Sequence, residues 1–154
     1  MPSTHSNLLV HVVFSTKNRA RLIADNWRAE LFAYMGGTLH EHKAVLLEAG
    51  GIEDHLHLLL RLYPSFAVAD TVQLVKSNSS RWINAQRQIQ MKFEWQKGYG
   101  VFSVSQSGRG AVTHYIRHQR EHHATQSFEE EYLQTLKLHG IDYNSEFVFD
   151  EEIA

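Results

Sequence analysis

The chain has 154 residues and is 43% hydrophobic, enough for one compact core, so a single domain over 1–154 is expected. No apolar run approaches the roughly 20 residues of a membrane-spanning helix, and no secretory pattern opens the sequence, which points to a cytoplasmic protein. The absence of cysteine excludes disulfides and thiolate metal sites, leaving nitrogen and oxygen ligands, for which 11 histidines are available. The net charge of -2 hides a division: residues 1–120 carry 14 Lys+Arg against 8 Asp+Glu, and residues 121–154 carry 1 against 9. Such a basic body suits phosphate, while the acidic end serves equally well to solubilise a terminal helix.

In chain order, Asn7–Ser15 is rich in apolar and β-branched residues and is predicted to be a buried strand. A polar, basic loop, 17–21, follows. Asp25 is then placed as the cap of a helix through Trp27, Leu31, Phe32 and Met35, which Gly36 and Gly37 interrupt or weaken. The apolar runs 44–49 and 55–62 flank Gly50-Gly51-Ile52-Glu53-Asp54 and read as a hairpin. Val68, Val72, Val75, Trp82 and Ile83 recur at helical spacing, predicting a second amphipathic helix over 67–86. Residues 101–105 alternate as a short fourth strand. A third helix is expected from Ala111 to about His123, and a last one behind the Ser127/Glu130 capping box, ending near Gly140. Strand, helix, strand, strand, helix, strand is the order of an α+β, ferredoxin-like (RRM-like) split βαβ domain. Its antiparallel sheet is expected to carry helices on one side, with C-terminal helices added.

The most informative stretch is Asp54-His55-Leu56-His57. Alternation along a strand sends His55 and His57 to one face, where their imidazoles can converge on one ion, and Leu56 and Leu58 to the other. Taken alone, the pair is equally a packing or surface feature. Tyr115 and Gln119 lie four apart in the third helix, about one turn, and so share a face. Two imidazoles, an amide oxygen and a phenol can then surround one place. His11 is brought near that place if the first and third strands are neighbours. Asp54 or Glu53 is positioned to orient an imidazole. The histidines at 114, 118, 122 and 123 are read chiefly as surface residues of the same helix.

His55-Leu56-His57 followed by Tyr115-x-x-x-Gln119 resembles the HUH single-tyrosine transposase family, small enzymes of hairpin-ended bacterial insertion sequences. Residues 13–19, 76–84 and 93–105 resemble the text of that family as well, so the likeness runs from residue 7 to about 149. The resemblance implies a DNA transposase that cuts and rejoins single-stranded DNA at hairpin-bearing ends through a 5′-phosphotyrosine on Tyr115. It implies Mg²⁺ or Mn²⁺ on His55, His57 and Gln119, and a homodimer in which the tyrosine helix can be exchanged between subunits. No phosphate-cradling Gly-rich loop with a Lys-Ser or Lys-Thr ending is present, consistent with chemistry that needs no nucleotide.

Lys17, Arg19, Arg21, Lys76, Arg81, Lys92 and Lys97 are candidates for DNA-backbone contacts, with a solvated surface as the plainer reading. Trp95, Tyr99 and Phe102 are candidates for stacking on bases, although core packing suits Trp95 and Phe102 better. The principal alternative is a domesticated protein of the same fold that binds DNA or RNA hairpins without transposing. A different metal-dependent hydrolase, or a purely structural histidine cluster, is the other.

Overall fold

The computed structural model describes residues 3–86, 89, 91–144 and 148–149; Glu146, Asp150, Glu151 and Glu152 of the acidic end lie outside the described residues. Four strands, β1 (Leu8–Ser15), β2 (Val45–Ile52), β3 (His55–Leu62) and β4 (Gly100–Val104), form one antiparallel sheet in the order β2-β3-β1-β4. The helices are α1 (Asp25–Glu41), α2 (Val68–Gln86), α3 (Arg109–Arg117), α4 (Gln119–His122) and α5 (Phe128–Leu138). This is the expected split βαβ arrangement. Among the described residues, no helix is long and apolar enough to cross a membrane.

Alternation along the two central strands divides the molecule into layers. Val12 and Phe14 of β1 and Leu56, Leu58, Leu60 and Leu62 of β3 face α1 and α2, where they meet Trp27, Leu31, Met35, Leu39, Val72, Val75 and Ile83. Val13 faces the opposite side and packs with Phe102, Phe128 and Leu136. The additional C-terminal helices therefore cover the second face of the sheet: α3 and α4 lie over β2 and β3, and α5 packs on β1 and β4 through Phe128 and Leu136. Burying about ten large side chains in the first layer alone is a contribution of order 15–30 kcal/mol before entropy is counted.

Several local expectations are corrected. Asp25 is the first residue of α1 and not its cap; Ala24 holds that position without a side-chain bond, and the Asp25 carboxylate instead accepts from Arg28 and Arg120. Gly36 and Gly37 do not end α1, which runs a further turn to Glu41 because Met35, Thr38 and Leu39 are buried on its inner face. The expected helix over 111–123 is two helices, broken at His118, where φ is -108° and ψ is 32°. Ser127 caps α5 as read, accepting from Glu130 N at 3.2 Å, and Gly140 follows with φ 66°, the left-handed conformation common just past a helix end.

The glycine pair at 50–51 is not a turn. β2 continues through it to Ile52, and the hairpin turn is Glu53-Asp54. Gly50 pairs with His57 across the strands, and a Cβ there would stand 2.1 Å from the carbonyl oxygen of Ile116. Only a residue without a side chain lets the backbone of α3 lie directly on β2, which fixes Tyr115 one residue away.

A second lock joins α2 to residues 93–98. Lys76 is buried, and its ammonium donates to the carbonyls of Gln96 (2.5 Å) and Gly98 (2.9 Å). Trp95 Nε1 donates to Ser79 Oγ at 2.9 Å, and Asn84 brackets Phe93 through both of its backbone polar groups. Gln96 in turn bonds both backbone groups of Ser15. The two segments singled out in the sequence, 76–84 and 93–105, thus meet as halves of one scaffold.

Gly50→Ala is expected to cost about 1–3 kcal/mol, from overpacking against α3. Gly37→Ala, in open space on α1, is expected to gain about 0.5–1 kcal/mol. Urea unfolding followed by circular dichroism measures both.

Candidate active site

The site lies on the second face of the sheet, under α3, α4 and α5. His55 and His57 are fully buried there with their rings 5.1 Å apart. Each is held from behind. His55 Nδ1 is 2.7 Å from Asp54 Oδ1, so Nδ1 carries the proton and Nε2 points inward. His57 Nδ1 is 2.8 Å from His11 Nε2, on the adjacent strand. That bond can run either way. When His11 donates, His57 Nε2 is free to donate to Glu131; when His57 Nδ1 donates, Nε2 offers a lone pair to a cation.

Tyr115 reaches the same place from α3. Its ring is 5.6 Å from that of His57, and its hydroxyl donates to Glu131 Oε2. Gln119 arrives by a different route from the one expected: the break at His118 starts α4, and the buried Gln119 side chain sets Oε1 3.1 Å from His55 Nε2 while its amide donates to Tyr115 O. One chain therefore brings together His55, His57, Tyr115 and Gln119 without a second subunit.

Two further residues join them: Glu131, which the sequence reading passed over, and His123, which it took chiefly for a surface residue. Glu131 of α5 places Oε1 3.0 Å from His57 Nε2, 3.5 Å from His55 Nε2 and 3.0 Å from His123 Nε2. The ligand atoms of His55, His57, His123 and Glu131 all lie within 4.8 Å of one another. Glu131 was submerged in the acidic C-terminal composition, and His123 in a run of apparently exposed histidines. The available signal was periodicity, since Glu131 lies one turn from Phe128 on the buried face of α5.

The electrostatics follow from burial among these groups. Burial alone would raise the carboxyl of Glu131, but the close imidazoles of His123, His55 and His57 hold it far below the usual carboxylate range. Burial would likewise lower His55, yet bonds to Asp54 and Glu131 raise it to about 9. His57 is lowered to about 4 by burial, against the pull of Glu131, and His11 to about 3 by burial and by His57. Tyr115 is pushed above the ordinary phenol range by burial and by the Glu131 carboxylate. Beside that carboxylate the phenol holds its proton, because a second negative charge there is opposed.

The donor set fits a divalent cation. Three imidazole nitrogens and one carboxylate oxygen cluster within 4.8 Å of one another, a group that could hold an ion, and the bonds to Asp54 and His11 can orient two of the rings for it. Two clefts flank the cluster. One is lined by Arg19, Arg21, Asp54, His123 and Glu129, the other by His11, Tyr115, His122, Glu131 and His139.

The remaining candidate DNA contacts are dispersed. Arg21 pairs with Glu53 at 3.0 Å, and Lys17 with Glu94 at 3.3 Å. Lys92 and Lys97 line a groove against α2, remote in the fold from the histidine face, and Arg81 is exposed on α2. Lys76 faces inward, bound to carbonyls, and so serves the 96–98 backbone and not a phosphate at the surface. Trp95 and Phe102 are core residues rather than exposed stacking platforms, and Tyr99 is partly buried against the main core.

Residues 4–119 match the family model described as "Transposase IS200 like". The transposases for insertion sequence element IS200 of Salmonella typhimurium and Salmonella typhi are each 27% identical over 123 residues, covering 77% of this chain and 80% of theirs. Two solved structures share the fold. A putative transposase from Deinococcus radiodurans superimposes with a TM-score of 0.62 at 23% identity, over 75% of this chain and 93% of that one. A REP-associated tyrosine transposase bound to a REP hairpin gives 0.56 at 10% identity, over 75% and 70%. With its sheet, its His-x-His strand and its tyrosine helix all inside the matched segment, the chain belongs to the IS200-like transposase family.

Proposed function

We propose that the chain cleaves and rejoins single-stranded DNA at hairpin-bearing ends, with Tyr115 as nucleophile. The observation that carries this reading is the approach of the Tyr115 phenol to the paired imidazoles, through the shared carboxylate of Glu131. Tyr115 Oη attacks the scissile phosphorus and forms a P–O bond. The bond to the 3′-oxygen breaks, the proton that the Tyr115 phenol gives up passes on balance to that oxygen, and a 5′-phosphotyrosine and a free 3′-hydroxyl result. Reversal by another 3′-hydroxyl rejoins the strand without nucleotide, because one phosphodiester is exchanged for an ester of similar energy.

His55, His57 and Gln119 would hold Mg²⁺ or Mn²⁺, which supplies positive charge against the non-bridging phosphate oxygens and orients them. Asp54 and His11 keep the two rings in place. Arg19 and Arg21, at the mouth of the cleft beside His123, are suited to the phosphates of the entering strand. The likeness to a transposase bound to a REP hairpin supports a hairpin substrate. Because one chain assembles the whole set, we propose that each protomer of a homodimer works with its own Tyr115.

Incubating the protein with Mn²⁺ and single-stranded oligonucleotides carrying hairpins is expected to give a covalent adduct on a denaturing gel. Tyr115→Phe is expected to reduce the adduct on the order of 10³-fold or more, and chelation of the metal to abolish it, with hairpin binding by fluorescence anisotropy retained in both cases. Binding without any adduct from the wild-type chain would favour the domesticated hairpin-binding reading. Mixing Tyr115→Phe with His57→Ala protomers is expected to restore nothing; recovered cleavage would show that the tyrosine helix is exchanged between subunits.

A further inference from the structure

We infer that Glu131 and His123, both beyond the segment matched by the family model, complete the coordination of the ion with His55 and His57, so that a bound divalent cation fastens α5 to the sheet. This rests on the metal reading proposed above and extends its ligand set past Gln119.

His123 is the first reason. Its side chain is 3% exposed, yet neither ring nitrogen has a hydrogen-bond partner. Its Nε2 stands 3.0 Å from Glu131 Oε1, but not in the geometry of an N–H···O bond. A buried imidazole with both nitrogens unsatisfied, whose ligand atom lies within 4.8 Å of those of His55, His57 and Glu131, is placed to serve as a further ligand to a cation.

Glu131 is the second. One of its oxygens lies within 3.5 Å of all three Nε2 atoms, and the other takes the hydroxyl of Tyr115. A single carboxylate thus joins the ligand cluster to the nucleophile. Glu131 also sits between Phe128 and Leu136, the two α5 residues packed on Val13 and Phe102. An ion on Glu131 therefore acts on the same helix that these apolar contacts hold, and it draws that helix toward His55 and His57 of β3. Three imidazole nitrogens and one carboxylate oxygen form a set that suits Mn²⁺ or Zn²⁺ better than Mg²⁺, which favours oxygen ligands and keeps its waters.

The test uses the full chain with Mn²⁺ alone, by isothermal titration calorimetry and by hydrogen exchange of residues 128–138. The wild type is expected to bind one ion and to slow exchange in α5 when it does. Glu131→Gln and His123→Gln are each expected to weaken binding by about 10–100-fold and to remove the added protection, with circular dichroism confirming that both variants fold. If His55→Ala or His57→Ala abolishes binding while Glu131→Gln and His123→Gln stay within threefold of wild type, and α5 exchange in the wild type is unchanged by Mn²⁺, the extended ligand set is wrong and the proposed metal reading survives. If the wild type takes up no ion, both fall.

Discussion

An ionised carboxylate cannot remain buried without compensation, and the second face of this sheet is arranged around one. Glu131 is 3% exposed and reaches imidazoles from β3 and from the turn after α4, together with a phenol from α3. Isolated in an apolar interior it would protonate or pull its helix away. Surrounded as it is, it binds four separate segments to one point. The same contacts keep Tyr115 protonated at rest, because a negative charge beside a phenol opposes a second one. A cation in the cluster offsets that charge, and on the proposed reading this is what makes the nucleophile usable.

The rest of the fold keeps these groups in register. Strand alternation puts His55 and His57 on one face and sends Leu56, Leu58 and Leu60 into the core against α1 and α2. The pairing of β1 with β3 sets His11 behind His57. Gly50 lets the backbone of α3 touch β2 next to His57. None of these is a catalytic group, yet each sets a distance in the site. The lock of Lys76, Ser79 and Asn84 onto residues 93–98 does the same at longer range, because Gln96 is bonded to the end of β1.

Much of this was legible in the sequence, for a physical reason that also marks where legibility stops. Period-two patterning predicts the face of His55 and His57, because a strand allows no other outcome. The order of elements and the Ser127 cap followed from equally local rules. Tyr115 and Gln119 were placed in the right neighbourhood by a helix that is in fact broken at His118; the spacing was informative, although the local conformation differed. The glycine pair at 50–51 was read as a turn, since a close backbone approach and a turn call for the same residue. Lys76 was read as a surface cation and Glu131 as part of a solvated tail, because charge alone does not report the carbonyls or imidazoles that compensate it inside. Those partners come from segments distant in sequence, 20 residues away for Lys76 and 74 for Glu131 and His57.

The central claim is that His55 and His57 hold an ion beside Tyr115. Pulsed electron paramagnetic resonance of the Mn²⁺-loaded chain reads it directly. The account predicts couplings from at least two imidazole nitrogens, diminished by His57→Ala and removed by the double substitution of His55 and His57. A spectrum showing only water protons, unchanged in those variants, would contradict it.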